Sequence, residues 1–253
     1  MAHIHLDKVS VQLPIYGVGK RVFKKELIRI ATGGFLKKEN NNILTVDALK
    51  NITLDIAKRI GKLVEKNTHI KVVHTREEDI FIPLWKRTKI ANETNGKLFI
   101  SIHANANPNR NIRGFETYLL RQGKTNDAIE VASRENAVIK LEDQQKSIYT
   151  GENLIMATMA QNAYMKESEE FAGIIQNELA SRINSKNRGV KQAGFYVLIG
   201  ASMPNVLIEV GFLSNPTEEK KLKKTSYRQQ IAEAVYGAIF MFKQTKEKLL
   251  AEG

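Results

Sequence analysis

Five histidines (His3, His5, His69, His74 and His103) and no cysteine limit what this 253-residue chain can do with a metal or a nucleophile. Without thiolates there is no disulfide, no cysteine nucleophile, no Cys-based zinc site and no iron–sulfur cluster, so any metal must be held by His, Asp or Glu. His103 has the most suggestive setting. Ser101-Ile102-His103-Ala104-Asn105 places it just past the apolar run Leu98-Phe99-Ile100-Ser101-Ile102, which reads as a buried strand. In open α/β sheets, ligands collect beyond the carboxyl ends of the strands. A lone His at such a place can equally be a loop or core residue, and both readings stay open. Asn205-Val206-Leu207-Ile208-Glu209 repeats the pattern, with a carboxylate where the strand should emerge. Burying a carboxylate on so apolar a strand is costly without a partner. A hydrogen-bonded structural Glu is the alternative to a proton-transferring one.

The elements that must position these residues follow from periodicity. Leu54, Ala57, Ile60, Leu63 and Val64 fall on one helical face. Residues 70–74 form a β-branched run, and Pro83 can open a helix reaching Asn95. Residues 114–120 alternate like a strand, and a mostly polar helical stretch covers 127–182, broken near Tyr149-Thr150-Gly151. Short strands are expected at 195–199 and 205–209. Ser214 or Asn215 can then cap a helix with Pro216 at its first position, before a closing helix at 227–246. Strands separated by helices imply an α/β layer fold with a largely parallel sheet.

Composition sets the outer limits. The chain is 42% apolar and 26% charged, a globular profile, and contains no run of 18 apolar residues that would span a membrane. Met1-Ala2-His3-Ile4-His5-Leu6-Asp7 lacks the basic and apolar regions of a secretory signal, so the chain as written is expected to stay in the cytoplasm. The net charge of +12 (39 Lys+Arg, 27 Asp+Glu) favours an anionic partner, either nucleic acid, wall polymer or membrane surface. No nucleic-acid motif or aromatic-interleaved basic segment accompanies it, so nucleic acid is not expected as the partner. Seven of the basic residues crowd between Lys20 and Lys38, followed by Gly33-Gly34 within that stretch and a polar Glu39-Asn40-Asn41-Asn42, which reads as a partly helical basic lead-in ending in a loop.

Several segments spread over about 200 residues resemble the zinc-dependent N-acetylmuramoyl-L-alanine amidases of the Amidase_3 type. They include Leu54-Asp55-Ile56-Ala57-Lys58-Arg59, Thr75-Arg76-Glu77-Glu78-Asp79, Phe99-Ile100-Ser101-Ile102-His103-Ala104-Asn105 and Gly114-Phe115-Glu116. Asn187-Arg188-Gly189-Val190-Lys191, Phe195-Tyr196-Val197-Leu198 and Leu207-Ile208-Glu209-Val210-Gly211-Phe212-Leu213-Ser214-Asn215 continue it. The run from Ala132-Ser133-Arg134-Glu135-Asn136 to Gln161-Asn162-Ala163-Tyr164 looks like the insertion of family members from Bacteroidetes.

The resemblance implies a three-layer sheet flanked by helices, an envelope or periplasmic setting, and cleavage of the amide between the MurNAc lactyl group and L-Ala of peptidoglycan. It implies zinc as cofactor, His103 as a zinc ligand, Glu209 as the catalytic carboxylate and Asn105 as a substrate-binding residue. It also implies that a regulatory activator could act on a helical insertion at about 127–170. Which acid of that insertion, Glu135, Glu142 or another, would approach the metal stays open.

The sequence departs from the family at its start. The other two ligand positions align with Gly34 and Leu49, neither of which can ligate a metal through its side chain. The first strand is therefore expected to be missing or replaced, and the alternative reading is an inactive or fused relative. Ile4-His5-Leu6-Asp7-Lys8-Val9, Ile30-Ala31-Thr32-Gly33-Gly34 and Val46-Asp47-Ala48-Leu49 instead resemble the start of the ATPase subunit of polysaccharide-export ABC transporters. No phosphate-binding Gly-x-x-x-x-Gly-Lys-Ser/Thr accompanies it; Gly123-Lys124-Thr125 has Tyr118 where the first Gly is required. The expected division is a lead-in at 1–48 and an amidase domain at 49–253, joined within 49–56. His3 and His5 could replace a lost ligand if their strand brought them beside His103, and Asp47 if the first helix shifted, whereas His69 and His74 read as solvated or structural.

Overall fold

The apolar runs of this chain assemble into one six-stranded sheet between two helical layers. The computed structural model describes residues 3–8, 36–38, 44–46, 52–121, 125–142 and 162–252. In chain order the strands are β1 (His3–Lys8), β2 (Leu36–Lys38), β3 (Leu44–Val46), β4 (Lys71–His74), β5 (Leu98–Asn105), β6 (Phe115–Leu120), β7 (Asn187–Ala193) and β8 (Asn205–Phe212). The helices are α1 (Ile52–Asn67), α2 (Leu84–Glu93), α3 (Asn126–Asn136), α4 (Met165–Arg182), α5 (Pro216–Lys223) and α6 (Thr225–Glu252). Sheet order is β4-β1-β5-β8-β6-β7, while β2 and β3 form a separate antiparallel pair. All neighbours in the large sheet are parallel except β6 and β8, so the sheet is mixed.

Alternation divides the strands cleanly. Ile100, Ile102 and Ala104 of β5 and Val206, Ile208 and Val210 of β8 join the core formed with α1, α4 and α6. Phe99, Leu207 and Tyr118 face the opposite core, with Leu84 and Ala91 of α2 and Val131 and Ala132 of α3. Truncating one of the fully buried aromatics, such as Phe99, removes transfer free energy and leaves a cavity, a loss of about 3–5 kcal/mol. Since period 2 sends alternate residues to one face, Ser101, His103 and Asn105 share the α2–α3 side with Phe99, and Glu209 shares it with Leu207. At Gly61 of α1 a Cβ would come within 2.8 Å of the His74 ring, so the helix crosses β4 where only a glycine allows that approach.

Several sequence expectations shift at this level. Both chemistry-bearing strands run further than their apolar segments: β5 continues through His103 to Asn105, and β8 through Glu209 to Phe212. Neither residue therefore lies just beyond a strand, because neighbouring strands continue to supply backbone partners there. Residues 195–199 are not a strand. They hold a single 3-10 turn at Tyr196–Leu198, packed into the core, and an apolar run alone does not separate these outcomes. The strand instead precedes it as β7, a polar edge strand whose sequence lacks the alternation that would have announced it. Pro83 is the residue before α2 rather than its first turn.

Asn215 does cap α5, its Oδ1 accepting from Thr217 N at 3.0 Å and Glu218 N at 3.2 Å, with Pro216 following. The closing helix is longer than periodicity indicated, Thr225–Glu252. Residues 36–38, expected within the basic lead-in, pair as a strand with 44–46. The expected break at 149–151 lies outside the described residues.

The lead-in supplies β1, which pairs in parallel with β4 on one side and β5 on the other. The place of a first strand in this sheet is thus filled by residues 3–8.

Candidate active site

Register places the chemistry in one row across three strands. His103 of β5 is paired with Glu209 of β8, and Glu209 with Glu116 of β6. Neighbouring strands are about 4.8 Å apart, so three titratable residues sit side by side in the sheet. All three are buried, with exposures of 2% for His103, 0% for Glu209 and 1% for Glu116.

The imidazole is held at both nitrogens. Its Nδ1 is 2.9 Å from Oε2 of Glu135, and its Nε2 is 2.9 Å from the Ser101 hydroxyl. The tautomer that donates from Nδ1 to Glu135 leaves Nε2 to accept from the Ser101 hydroxyl. Glu135 lies near the end of α3, which is fastened by three neighbouring contacts. Asn136 Nδ2 donates to Gly194 O at 2.7 Å, its Oδ1 accepts from Tyr196 N at 2.8 Å, and Arg134 Nη2 reaches Asn105 Oδ1 at 3.4 Å. Glu142, the other acid weighed from sequence, takes no part. Its Oε1 accepts from Leu84 N at 2.6 Å, at the start of α2.

Glu209 is the anomaly of the row. Among the described residues neither carboxylate oxygen has a hydrogen-bond partner. Burial, then the charges of Glu135 and Glu116, push its pKa well above the ordinary glutamate range, and Arg134 opposes them only in part. Glu116 is raised by burial too, but Lys191, Tyr118 and Arg188 all donate to it and together hold it below that range. Tyr118 donates to Glu116 Oε2 at 2.5 Å, Lys191 to Oε1 at 2.7 Å, and Arg188 Nε also to Oε1. Tyr118 in turn is pushed well up by burial and by Glu116.

One ligand atom each from His103, Glu135 and Glu209 lie within 4.8 Å of one another. An imidazole and two carboxylates, one of them with orphaned oxygens in an apolar setting, form a donor set that fits a divalent cation such as zinc. This set has one imidazole only. His3 and His5 do lie on a strand beside β5, but His3 is level with Lys71 and His5 with Phe99, four residues short of His103, or about 13 Å along the strand. His74 ends β4, beyond β1, and His69 is exposed in the turn before β4. Gly34, Asp47 and Leu49 lie outside the described residues.

Asn105 is 2% exposed at the end of β5; its Oδ1 accepts from Ala106 N at 2.7 Å, while its Nδ2 has no partner among the described residues. The fold gathers at one edge the three residues singled out from sequence, His103, Glu209 and Asn105, and adds Glu135, which the sequence left as one option among several. Glu116 was visible only as part of a family motif, since nothing in its local pattern indicates a strand partner 93 residues away in the chain.

Residues 45–241 match the family described as Amidase_3, N-acetylmuramoyl-L-alanine amidase. AmiC of Escherichia coli O6:H1 is 36% identical over 193 residues, which is 75% of this chain and 46% of AmiC. A putative N-acetylmuramoyl-L-alanine amidase of Buchnera aphidicola subsp. Baizongia pistaciae is 34% identical over 200 residues, covering 78% of this chain and 88% of the relative. The chain thus spans less than half the length of AmiC and most of the Buchnera protein. Among solved structures, the catalytic domain of CwlV from Bacillus (Paenibacillus) polymyxa var. colistinus has a TM-score of 0.62 at 21% identity, over 96% of this chain and 99% of CwlV. The CwlD amidase of Clostridioides difficile, solved in complex with the GerS lipoprotein, has a TM-score of 0.60 at 24% identity, over 97% of this chain and 100% of CwlD. Those structural likenesses speak for the fold, and the sequence matches carry the assignment: the chain belongs to the Amidase_3 family of N-acetylmuramoyl-L-alanine amidases.

Proposed function

We propose that the protein is a peptidoglycan hydrolase that cleaves the amide between the MurNAc lactyl group and the first L-Ala of the stem peptide, in the cell envelope. The observation that carries this reading is Glu209: a fully buried carboxyl with no hydrogen-bond partner among the described residues, in register with His103 at the site edge of the sheet. An acid raised by burial and by neighbouring carboxylates is suited to take a proton from water and return it to the leaving amine. Asn105 offers the unpartnered Nδ2 donor to the substrate. His103 would hold zinc with Glu209 beside it, Glu135 would be a ligand that α3 brings and can withdraw, and bound zinc would acidify water and polarise the amide carbonyl.

Zinc content per chain by mass spectrometry and release of L-Ala-bearing stem peptide from purified sacculi test the reading together. Bound zinc with turnover that disappears in Glu209→Ala supports it; a folded protein that binds no zinc and releases nothing sinks it. That second outcome is expected of a catalytically inactive relative, the reading favoured by the one imidazole that the described residues bring to the site.

We propose also that α3 and the insertion around it govern entry. Glu135 contacts His103 directly, and Asn136 ties the helix to the β7–β8 connection. A partner that pulls α3 aside and takes Glu135 with it would open the site. Asn136→Ala loosens the helix while keeping Glu135. Hydrolysis at saturating zinc should rise; an unchanged or lower rate removes the idea.

For residues 1–48 we propose a replaced N-terminus of transporter-ATPase type, joined within 49–56. Long-read sequencing of the locus tests it, since an uninterrupted amidase start upstream would show the join to be artificial.

A further inference from the structure

Arg188 and Lys191 are three residues apart on β7, a spacing that strict alternation sends to opposite faces of the sheet. They nevertheless meet at the same Glu116 oxygen. The cause is a bulge. Phe115 pairs with Asn187 and Thr117 with Val190, so three steps on β7 oppose two on β6. Gly189 absorbs the extra residue at φ 80°, with its N–H donated to Asn187 Oδ1 at 2.8 Å. A Cβ at Gly189 would meet nothing within 4 Å, so it is the backbone conformation, rather than crowding, that calls for glycine.

The bulge brings two cations to one anion. Glu116 is 1% exposed, while the side chains of Arg188 and Lys191 keep 18% and 20% of their surface open. Arg188 spends Nε on Glu116 and lies over the Phe212 ring at 5.5 Å, which leaves its two Nη groups. Lys191 spends one of its three protons. Among the described residues neither cation has a second acceptor. The triad carries one positive charge in excess, and Glu116 holds it directly beside Glu209, about 5 Å away in the antiparallel pair.

We propose that Arg188 and Lys191 form a docking site for a peptide carboxylate of the substrate, with Glu116 as the residue that positions them. The proposal rests on the amidase reading, which places the scissile amide at Glu209. A stem peptide continuing from that amide towards β7 meets the open side of the two cations, where a carboxylate completes the charge balance that Glu116 leaves unfinished.

The test is binding, which needs no turnover. Calorimetry with Glu209→Gln protein compares the diacid N-acetylmuramoyl-L-Ala-D-Glu with its diamide at low salt. The diacid should bind about tenfold more tightly, with the preference shrinking as salt is added. Lys191→Met and Arg188→Met should each reduce the preference and leave diamide affinity unchanged. Lys191→Arg should retain it, which separates lost charge from lost fold. Equal binding of diacid and diamide by the Glu209→Gln protein, or a preference that survives both Met substitutions, overturns the proposal. A clear preference in a protein whose unsubstituted form leaves sacculi intact would preserve the docking site and defeat the amidase reading. Cleavage without preference would do the reverse.

Discussion

Two glutamates face each other across β6 and β8, both buried and oppositely treated. On the β6–β7 side, Glu116 receives a phenol, a guanidinium and an ammonium. On the β8–α3 side, Glu209 receives no hydrogen bond from the described residues and has two further carboxylates for neighbours. Burial penalises both anions, Glu209 the more, and only Glu116 has donors that overcome it. Glu116 is a settled anion that organises its surroundings. Glu209 is a carboxyl that needs a proton or a cation, the condition expected of a group that changes protonation during a reaction.

Breaking the Glu209 side should have the largest effect on activity. Glu209→Gln keeps the shape and removes the transferable proton, so stem-peptide release from sacculi should fall by about 10²–10⁴-fold. Melting followed by circular dichroism should show no loss of stability. Breaking the Glu116 side should reverse that profile. Glu116→Leu strands two partly buried cations, at a cost of about 3 kcal/mol, and should lower Tm by roughly 6–12 °C. A variant as stable as the parent would mean that Arg188 and Lys191 find solvent easily and that Glu116 holds nothing in place.

The pH dependence of stability sharpens the contrast, because the two shifts have opposite signs. Glu209, raised when folded, contributes stability that is fully present below the ordinary 4.5 and is lost as pH climbs through its folded pKa. In metal-free protein, Glu209→Gln should therefore gain on the parent as pH rises above 4.5. Glu116, lowered when folded, contributes stability present above 4.5 and lost as pH falls through its folded pKa. The deficit of Glu116→Gln should be full at neutral pH and close in acid. Parallel pH curves for the two Gln variants would contradict the assignment of either side.

The smallest expected effect lies away from the row. Asn215→Ala removes a helix cap and should cost about 1 kcal/mol in denaturant titration, leaving the diacid preference unchanged.

Much of this arrangement was open to reading from the chain itself. Periodicity announced α1 and both central strands, because burial on a sheet or helix face writes itself into the spacing of apolar residues. The chemical content of His103 and Glu209 was legible for the same reason: each is a polar residue interrupting an apolar run. β7 was not legible, since a polar edge strand is specified by its partner more than by its own alternation. The 3-10 turn at Tyr196–Leu198 was mistaken for a strand because both bury a short apolar run.

The sequence by itself determined the donor inventory: no thiolate, five imidazoles, and two carboxylate- or imidazole-bearing strands of the right character. Only the tertiary structure decided which of those donors meet. Strand register set His103, Glu209 and Glu116 in one row while leaving His3 and His5 near the far end of β1. The docking of α3 chose Glu135 over Glu142, and one bulge at Gly189 turned two residues of opposite faces onto one carboxylate. The physical reason is that pairing is non-local: spacing along a chain fixes the face on which a side chain lies, but the partner across the sheet is fixed by the register of a second strand remote in the chain.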